Sequence, residues 1–403
     1  MRAPCRLPAP LVKAEVLQVT PLEPVRRRAL QVEQCERTVM STSTPIPVTI
    51  VTGFLGSGKS TLLNNVLTER HGLRIAVVEN EFGEGVGVES LIVKDGLGGK
   101  ALDGYYELAN GCVCCTARDD LVATMEALLS RPGAAFDHVL IELSGLASPG
   151  PVARAFWSDD GNECARFKLD GVVCIVDAAR LPRQLVERGA AADKSVHAIN
   201  EAALQIAFAD VVLLNKADTC DAAALGAARA AASAINRKAR FIETTRARAD
   251  VGALLSLASL SPLNMDVVLG AENVDGGCCC TDGADAASDA HTHDATISSV
   301  VVRVQGDLRR DAFMRWAAAL LWVDSSGSST RVLRGKGVLS LAGETVRHIF
   351  QSVEETFDVT RVEGALGEWP LGLGSPPVRE TALVLIGTGL KVVALRLSLA
   401  ECL

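Results

Sequence analysis

The chain has 403 residues, enough for two domains that each bury a core, and carries 40 Lys and Arg against 48 Asp and Glu for a net charge of −8. With no basic face beyond Arg26–Arg28, that balance argues against a nucleic-acid partner held by phosphate neutralisation. The uncharged stretch Val251–Met265 is broken by serines and a proline and falls short of the roughly 20 apolar residues of a membrane span.

Twelve cysteines, several of them adjacent and with no secretory signal ahead of them, fit a reducing cytoplasm better than a disulfide framework. Residues 1–46 read as a disordered arm. Its early Arg and Pro leave organelle targeting open, while Glu15, Glu23, Glu33 and Glu36 dilute the likeness to an acid-poor transit peptide.

From 47 to 265 apolar runs alternate with helix-like segments, the pattern of an α/β domain with a mostly parallel sheet covered by helices on both faces. The expected strands are Thr49–Thr52, Ile75–Glu79, His138–Glu142, Gly171–Val176, Val211–Asn215 and Phe241–Glu243. Residues 266–296 turn to Gly, Ala, Asp, Cys and His without periodicity and read as a linker. A smaller α+β domain follows over 297–403. It is expected to hold strands at Ile297–Val304, Val338–Leu341, His348–Val353 and Ala382–Ile386, and an amphipathic helix over Arg309–Val323 carrying Phe313, Trp316, Leu320 and Leu321.

The sharpest local signal is Gly53-Phe54-Leu55-Gly56-Ser57-Gly58-Lys59-Ser60, placed between the first strand and the helix-like run that opens at Thr61. Glycines in this pattern let backbone N–H groups turn inward around phosphate oxygens. Lys59 adds a point charge for the β- and γ-phosphates, and the Ser60 hydroxyl suits Mg²⁺. The strand Val211–Leu214 ends in Asn215-Lys216-Ala217-Asp218. A carboxylate such as Asp218 accepts both the ring N1–H and the exocyclic amine of guanine, a donor pair that adenine lacks, so the pattern selects GTP over ATP. Glu142 ends the strand that leads into Leu143-Ser144-Gly145, where an acid can hold Mg²⁺ through water or orient an attacking water and Gly145 lets backbone approach a γ-phosphate. Lys59, Ser60 with Mg²⁺, and Glu142 suffice for slow phosphoryl transfer, and no arginine finger is identifiable.

Cys112-Val113-Cys114-Cys115 places three thiols within four residues. Two readings stand: three soft ligands for Zn²⁺, Cu⁺ or another thiophilic ion with the fourth position open, or three small buried hydrophobes. Cys278–Cys280 with His291 and His293 form a second set in the linker, readable as a metal-collecting tract or as accidental low complexity.

Together these residues resemble the CobW-type P-loop GTPases, and within them the eukaryotic zinc-regulated GTPase metalloprotein activators. The likeness rests on Gly53–Ser60 with Thr61–Asn64, Glu79–Gly85, Glu107–Cys115, Ile141–Pro149 and Arg334-Gly335-Lys336-Gly337. It implies a GTP-binding domain joined to a CobW C-terminal domain, with GTP/GDP, Mg²⁺ and Zn²⁺ as ligands. It also implies a switch that senses the γ-phosphate at Glu79, Asn80, Glu81, Phe82, Gly83 and Glu84, and an internal metal site at Cys112, Cys114 and Cys115. The implied activity is GTP hydrolysis coupled to inserting zinc into a client apo-metalloprotein, for which a metallo-aminopeptidase is one candidate. The alternatives are delivery of another metal or cofactor, such as cobalt for a corrinoid pathway, and a zinc buffer or sensor that binds nucleotide without productive turnover.

The sequence departs from this family in three places. The docking segment of the eukaryotic members has Pro after Cys, whereas Glu36 follows Cys35 here. The usual Glu-Thr-Thr-Gly or Glu-Ser-Thr-Gly is Glu142-Leu143-Ser144-Gly145, and the tail after Lys391 is atypical, so the last domain is expected to end incompletely or divergently.

Overall fold

A computed structural model describes residues 45–80, 89–95, 106–108, 125, 136–156, 166–186, 200–255, 257, 297–322, 330–362, 364, 367–369 and 379–403. The described strands of the first part are β1 (Ile46–Thr52), β2 (Arg74–Asn80), β3 (Glu89–Asp95), β4 (Tyr106–Leu108), β5 (His138–Leu143), β6 (Phe167–Asp177), β7 (Val211–Asn215) and β8 (Arg240–Thr244). They form one sheet in the order β4-β3-β2-β5-β1-β6-β7-β8. The six strands from β2 to β8 in that order run parallel, and β3 and β4 add an antiparallel edge. The sequence reading lacks these two edge strands. The apolar run of β3, Leu91-Ile92-Val93, is bracketed by Glu89 and Asp95, and β4 is only three residues long, so neither carries a clear period.

Near-continuous apolar strands need cover on both faces. One face of the sheet receives Val51, Leu140, Val173 and Leu213 against Leu62, Leu63 and Val66 of α1 (Lys59–Thr68). The other receives Val48, Ile50, Val139 and Ile141 against residues of α2 (Pro149–Ala155), α4 (Glu201–Phe208) and α5 (Ala222–Ile235); α3 (Leu181–Val186) adds Leu181 to this cluster. Caps stop the helices from unravelling at their start. Asn200 accepts from Ala203 N–H at 3.0 Å and Asp221 from Ala224 N–H at 2.7 Å, contacts of the kind that contribute about 1 kcal/mol each.

The second sheet is antiparallel, in the order β12-β11-β10-β13-β9, built from β9 (Ser298–Gln305), β10 (Arg331–Leu339), β11 (His348–Val353), β12 (Thr356–Arg361) and β13 (Glu380–Thr388). Strand β10 begins well before the expected Val338. Arg334-Gly335-Lys336-Gly337 lies inside it, because the two glycines allow close approach of neighbouring strands: a Cβ at Gly337 would sit 2.4 Å from Leu383 Cδ2. Helix α6 (Arg310–Leu321) buries Phe313 and Leu321, and Phe313 meets Phe350 edge-on at 5.4 Å. The tail after Lys391 forms α7 (Val392–Ala400), whose Leu395 and Leu399 join the same core and whose Ser398 accepts from Trp316 Nε1 at 2.9 Å.

The two sheets share buried surface. Leu333, Val353 and Ile386 of the second belong to the cluster that holds Val152 of α2 and Phe208 of α4, helices that cover the first. Charged contacts flank it: Asp210 Oδ1 takes Arg334 Nη2 at 2.6 Å and Lys336 Nζ at 2.7 Å, and Arg154 pairs with Glu354 and Glu355.

Candidate functional site

In parallel sheets of this kind ligands bind outside the carboxyl ends of the strands, where the strand order reverses. Here that point lies between β1 and β5, and the chain leaves β1 into the loop 53–58 there. Gly58 has φ 118°, and a Cβ there would stand 2.4 Å from Asn215 Nδ2, so only glycine fits between the loop and the end of β7. The helix that follows starts without a side-chain cap, leaving its first N–H groups unsatisfied, and Ser57 Oγ is buried with no hydrogen-bond partner. An uncapped N-terminus beside a buried, unpaired hydroxyl suits a polyanion.

Lys59 is buried at the base of this loop, its Nζ donating to Gly53 O at 2.8 Å. Burial pushes its ammonium below the usual lysine value, and the nearby Glu142 and Cys174 recover part of the loss. Ser60 Oγ, exposed at the first turn of α1, donates to Glu142 Oε1 at 3.4 Å. Two hard oxygens at the helix start match what Mg²⁺ takes beside phosphate.

After Glu142 the chain turns through Ser144, and Gly145 presses on the loop: its Cβ would lie 2.7 Å from Leu55 N and from Leu55 Cδ2. Gly145 is therefore needed for contact with the loop itself. Gln205 Nε2 holds the turn from below, donating to Gly145 O at 3.0 Å and Ala147 O at 3.3 Å. Leu55 and Leu146 remain 57% and 55% exposed on this face.

The end of β7 is tied to the loop by side chains. Asn215, buried, donates through Nδ2 to Ser57 O at 2.8 Å, and its Oδ1 accepts from Ala247 N at 2.8 Å and Thr244 Oγ1 at 3.2 Å. Lys216, at φ 60°, donates to Gly56 O at 2.8 Å and to Asp177 Oδ2 at 2.7 Å. Asp218 stands exposed in the 3-10 turn Ala217–Thr219 just beyond. Lys59, Ser60, Glu142, Gly145, Asn215 and Lys216 thus meet on one sheet edge, with Phe54 half-buried and Thr61 exposed alongside.

Four further residues escaped the sequence reading. Asp177 ends β6, Gln205 lies in α4, Thr244 ends β8, and Asn65 on α1 donates to Arg246 O at 2.8 Å and Ala247 O at 3.1 Å. Only Asp177 carried a signal, as an acid directly after the apolar run ending at Val176. Arg246 and Ala247, both at φ 52°, shape the loop that Asn65 and Asn215 grip.

Glu79 and Asn80 end β2, Glu79 in register with Glu142. Glu81, Phe82, Gly83 and Glu84 lie outside the described residues, as do Cys112, Cys114 and Cys115, Cys278–Cys280, and His291 and His293. Among the described residues no group of three or more His, Cys, Asp or Glu could hold a metal ion, and the free cysteines are Cys174, Cys220 and Cys402. No described helix is long and apolar enough to cross a membrane.

A phosphate-type loop at the switch point, an acid on the neighbouring strand and an Asn-Lys-x-Asp strand end define a P-loop nucleotide-binding domain. Residues 47–243 match the CobW/HypB/UreG nucleotide-binding domain and residues 297–403 the cobalamin synthesis protein cobW C-terminal domain. The chain belongs to the CobW family. It is 31% identical over 332 residues to zinc-regulated GTPase metalloprotein activator 1 of Schizosaccharomyces pombe, covering 79% of this chain and 78% of that protein. It is 33% identical over 321 residues to the zinc chaperone YjiA of Escherichia coli, covering 78% of this chain and 87% of that one. The crystal structure of Zn(II)-bound YjiA GTPase from E. coli superposes with a TM-score of 0.61 at 26% identity, over 90% of this chain and 100% of that one.

Proposed function

We propose that this protein is a cytoplasmic GTP-hydrolysing zinc metallochaperone. Residues 47–265 form its GTPase domain, 266–296 a linker and 297–403 the CobW C-terminal domain. The observation that carries the nucleotide half is the convergence of Lys59, Ser60 and Glu142 with Asn215 and Lys216 on one sheet edge. In this reading Gly53–Thr61 and Gly145 cradle the phosphates and Asp218 accepts the guanine edge. Bound Mg²⁺, held by Ser60 and through water by Glu142, supplies charge neutralisation on the phosphate oxygens. Lys59, already desolvated, exchanges its bond to Gly53 O for phosphate oxygen, and Glu142 orients the attacking water.

The zinc half rests on the three thiols Cys112, Cys114 and Cys115 and on the zinc-chaperone names of the two relatives described above. Zinc is cargo: the thiolates hold it with a position left for an incoming client ligand, and Glu79–Glu84, lying between the phosphate loop and the thiols in sequence, passes the nucleotide state to them. The client is an apo-metalloprotein. Its class as an aminopeptidase is a further step that the departure at Cys35-Glu36 leaves to experiment.

The test is zinc affinity of metal-stripped protein by competition with a chromophoric chelator, in a non-hydrolysable GTP analogue and in GDP, with phosphate release followed in parallel. The proposal expects affinity to differ between the two nucleotide states, the difference to vanish in the Cys112/Cys114/Cys115 triple Ser variant, and phosphate release to vanish in Lys59→Ala. Equal affinity in both states would reduce the protein to a GTPase that buffers zinc, and tighter binding of cobalt than zinc would reassign the cargo.

A further inference from the structure

We infer that Asp177 is a positioning residue for nucleotide binding, acting through Lys216; the inference rests on the guanine-nucleotide reading above. Asp177 is the last residue of β6, opposite Asn215 in the β6–β7 register, and is almost wholly buried. Its Oδ2 lies 2.7 Å from Lys216 Nζ, and the same ammonium donates to Gly56 O at 2.8 Å. One cation therefore links the crown of the phosphate loop to the end of the strand that precedes Asp218.

This arrangement is held against two costs. Lys216 sits at φ 60°, where a side chain is disfavoured, and a buried carboxylate needs a partner. Without Asp177 the Lys216 side chain, 35% exposed, is free to swing into water, because Gly56 O alone offers a single neutral acceptor on an exposed loop. With Asp177 in place the ammonium is held between Gly56 O and the carboxylate, at the height of the loop. Asp177 thereby sets the spacing between the phosphate cradle and the base-reading turn without itself touching nucleotide.

Asp177 also has a local structural task, since its Oδ1 accepts from Arg180 N at 3.3 Å in the turn after β6. Its Oδ2 also lies 3.8 Å from Arg180 Nε, whose side chain is 70% exposed, so the Lys216 double variant is what isolates the Lys216 link from the asparagine change. The asparagine amide oxygen can keep the Arg180 N contact, while its NH₂ cannot accept from Lys216.

The experiment titrates mant-GDP and measures steady-state GTP hydrolysis for wild type, Asp177→Asn, Lys216→Met and the double variant, with thermal midpoints of the nucleotide-free proteins. The expected result for Asp177→Asn is a rise in the Kd for mant-GDP and the KM for GTP of about tenfold, the loss of one charge-assisted hydrogen bond, with kcat within about twofold of wild type. In the Lys216→Met background the same change adds less than about twofold. Unchanged affinity in Asp177→Asn, or an equal loss in both backgrounds, overturns the inference and leaves Asp177 a turn residue. A wild-type chain that does not bind mant-GDP overturns the guanine-nucleotide reading itself, and this inference with it. A lowered thermal midpoint with the tenfold effect still confined to the Lys216 background supports it.

Discussion

Ser60 Oγ lies 3.4 Å from Glu142 Oε1, a contact between residues 82 apart that joins the first turn of α1 to the end of β5. It places a hydroxyl and a carboxylate where a hard cation can be shared between protein and phosphate. Each should act on a different observable. Glu142→Gln keeps the shape of the side chain but removes its charge, so GTP turnover should fall about 100-fold while mant-GDP affinity moves by less than about threefold. Ser60→Ala should instead raise the Mg²⁺ concentration for half-maximal turnover by about tenfold. Phosphate release measured across an Mg²⁺ titration checks both, and equal effects on affinity and turnover in Glu142→Gln would assign that residue to ground-state binding.

Gly145→Ala tests the packing of the turn on the phosphate loop. The added methyl meets backbone as well as side chain, 2.7 Å from Leu55 N and Leu55 Cδ2. Overpacking of this kind costs about 1–3 kcal/mol. The variant should lose nucleotide affinity, and because the backbone clash persists, adding Leu55→Ala should not restore it. Recovery of mant-GDP binding in the double variant would show that only the leucine side chain stood in the way.

What could be read in advance divides along a physical line. Motifs of fixed local spacing are legible in their placement: Gly53–Ser60 follows β1 and opens α1, and Asn215–Asp218 follows the apolar run of β7, as their flanks in the sequence require. The six parallel strands were legible because strands buried on both faces are continuously apolar. Asn65, Gln205 and Thr244 were not, since an Asn, Gln or Thr that caps a distant carbonyl looks like any helix or strand residue until the fold brings the carbonyl to it. Strand β10 is longer than its apolar pattern for a related reason: Arg334 and Lys336 interrupt that pattern, yet their partner Asp210 comes from the bend just ahead of β7.

Asp210 and Lys336 respond differently to removal. Burial alone would raise the Asp210 carboxyl, but Arg334 and Lys336 bring it down to about 2; burial and repulsion from Arg334 push Lys336 down to about 8, with Asp210 recovering part. Asp210→Asn removes the carboxylate shared by two buried cations and should cost about 3 kcal/mol, whereas Lys336→Met leaves the Arg334–Asp210 pair intact and should cost less than about 1 kcal/mol. The pH signs also differ. The Asp210 contribution, with a folded value below the ordinary 3.8, is present above about pH 4 and lost as pH falls toward 2. Lys336, with a folded value below the ordinary 10.5, adds stability as pH rises from about 8 toward 10, because the folded chain sheds a proton that the unfolded chain keeps. Urea midpoints of wild type and Lys336→Met at pH 7.5 and 9.5 should therefore diverge in favour of wild type at the higher pH. Parallel curves would mean that Lys336 stays charged throughout.

His138 gives the fold a second reason to avoid acid. At the start of β5 it is buried, its Nε2 2.8 Å from Thr49 Oγ1, and Thr49 in turn donates to Asp170 Oδ2 at 3.3 Å. Because the single hydroxyl proton of Thr49 goes to Asp170, the ring donates through Nε2. Burial pushes its pKa down to about 4 despite the pull of Asp170 in the other direction. Between about pH 6.5 and 4 the unfolded chain takes a proton that the folded chain refuses, so stability that is fully present above pH 6.5 drains away as pH falls, by up to about 3 kcal/mol from this group. His138→Gln keeps a donor for Thr49 but cannot titrate. Its unfolding free energy at pH 7 should lie below that of wild type, and the gap should narrow or reverse by pH 4.5. Urea unfolding at both pH values decides it: a gap that stays constant would show that His138 is protonated alike in the folded and unfolded chains.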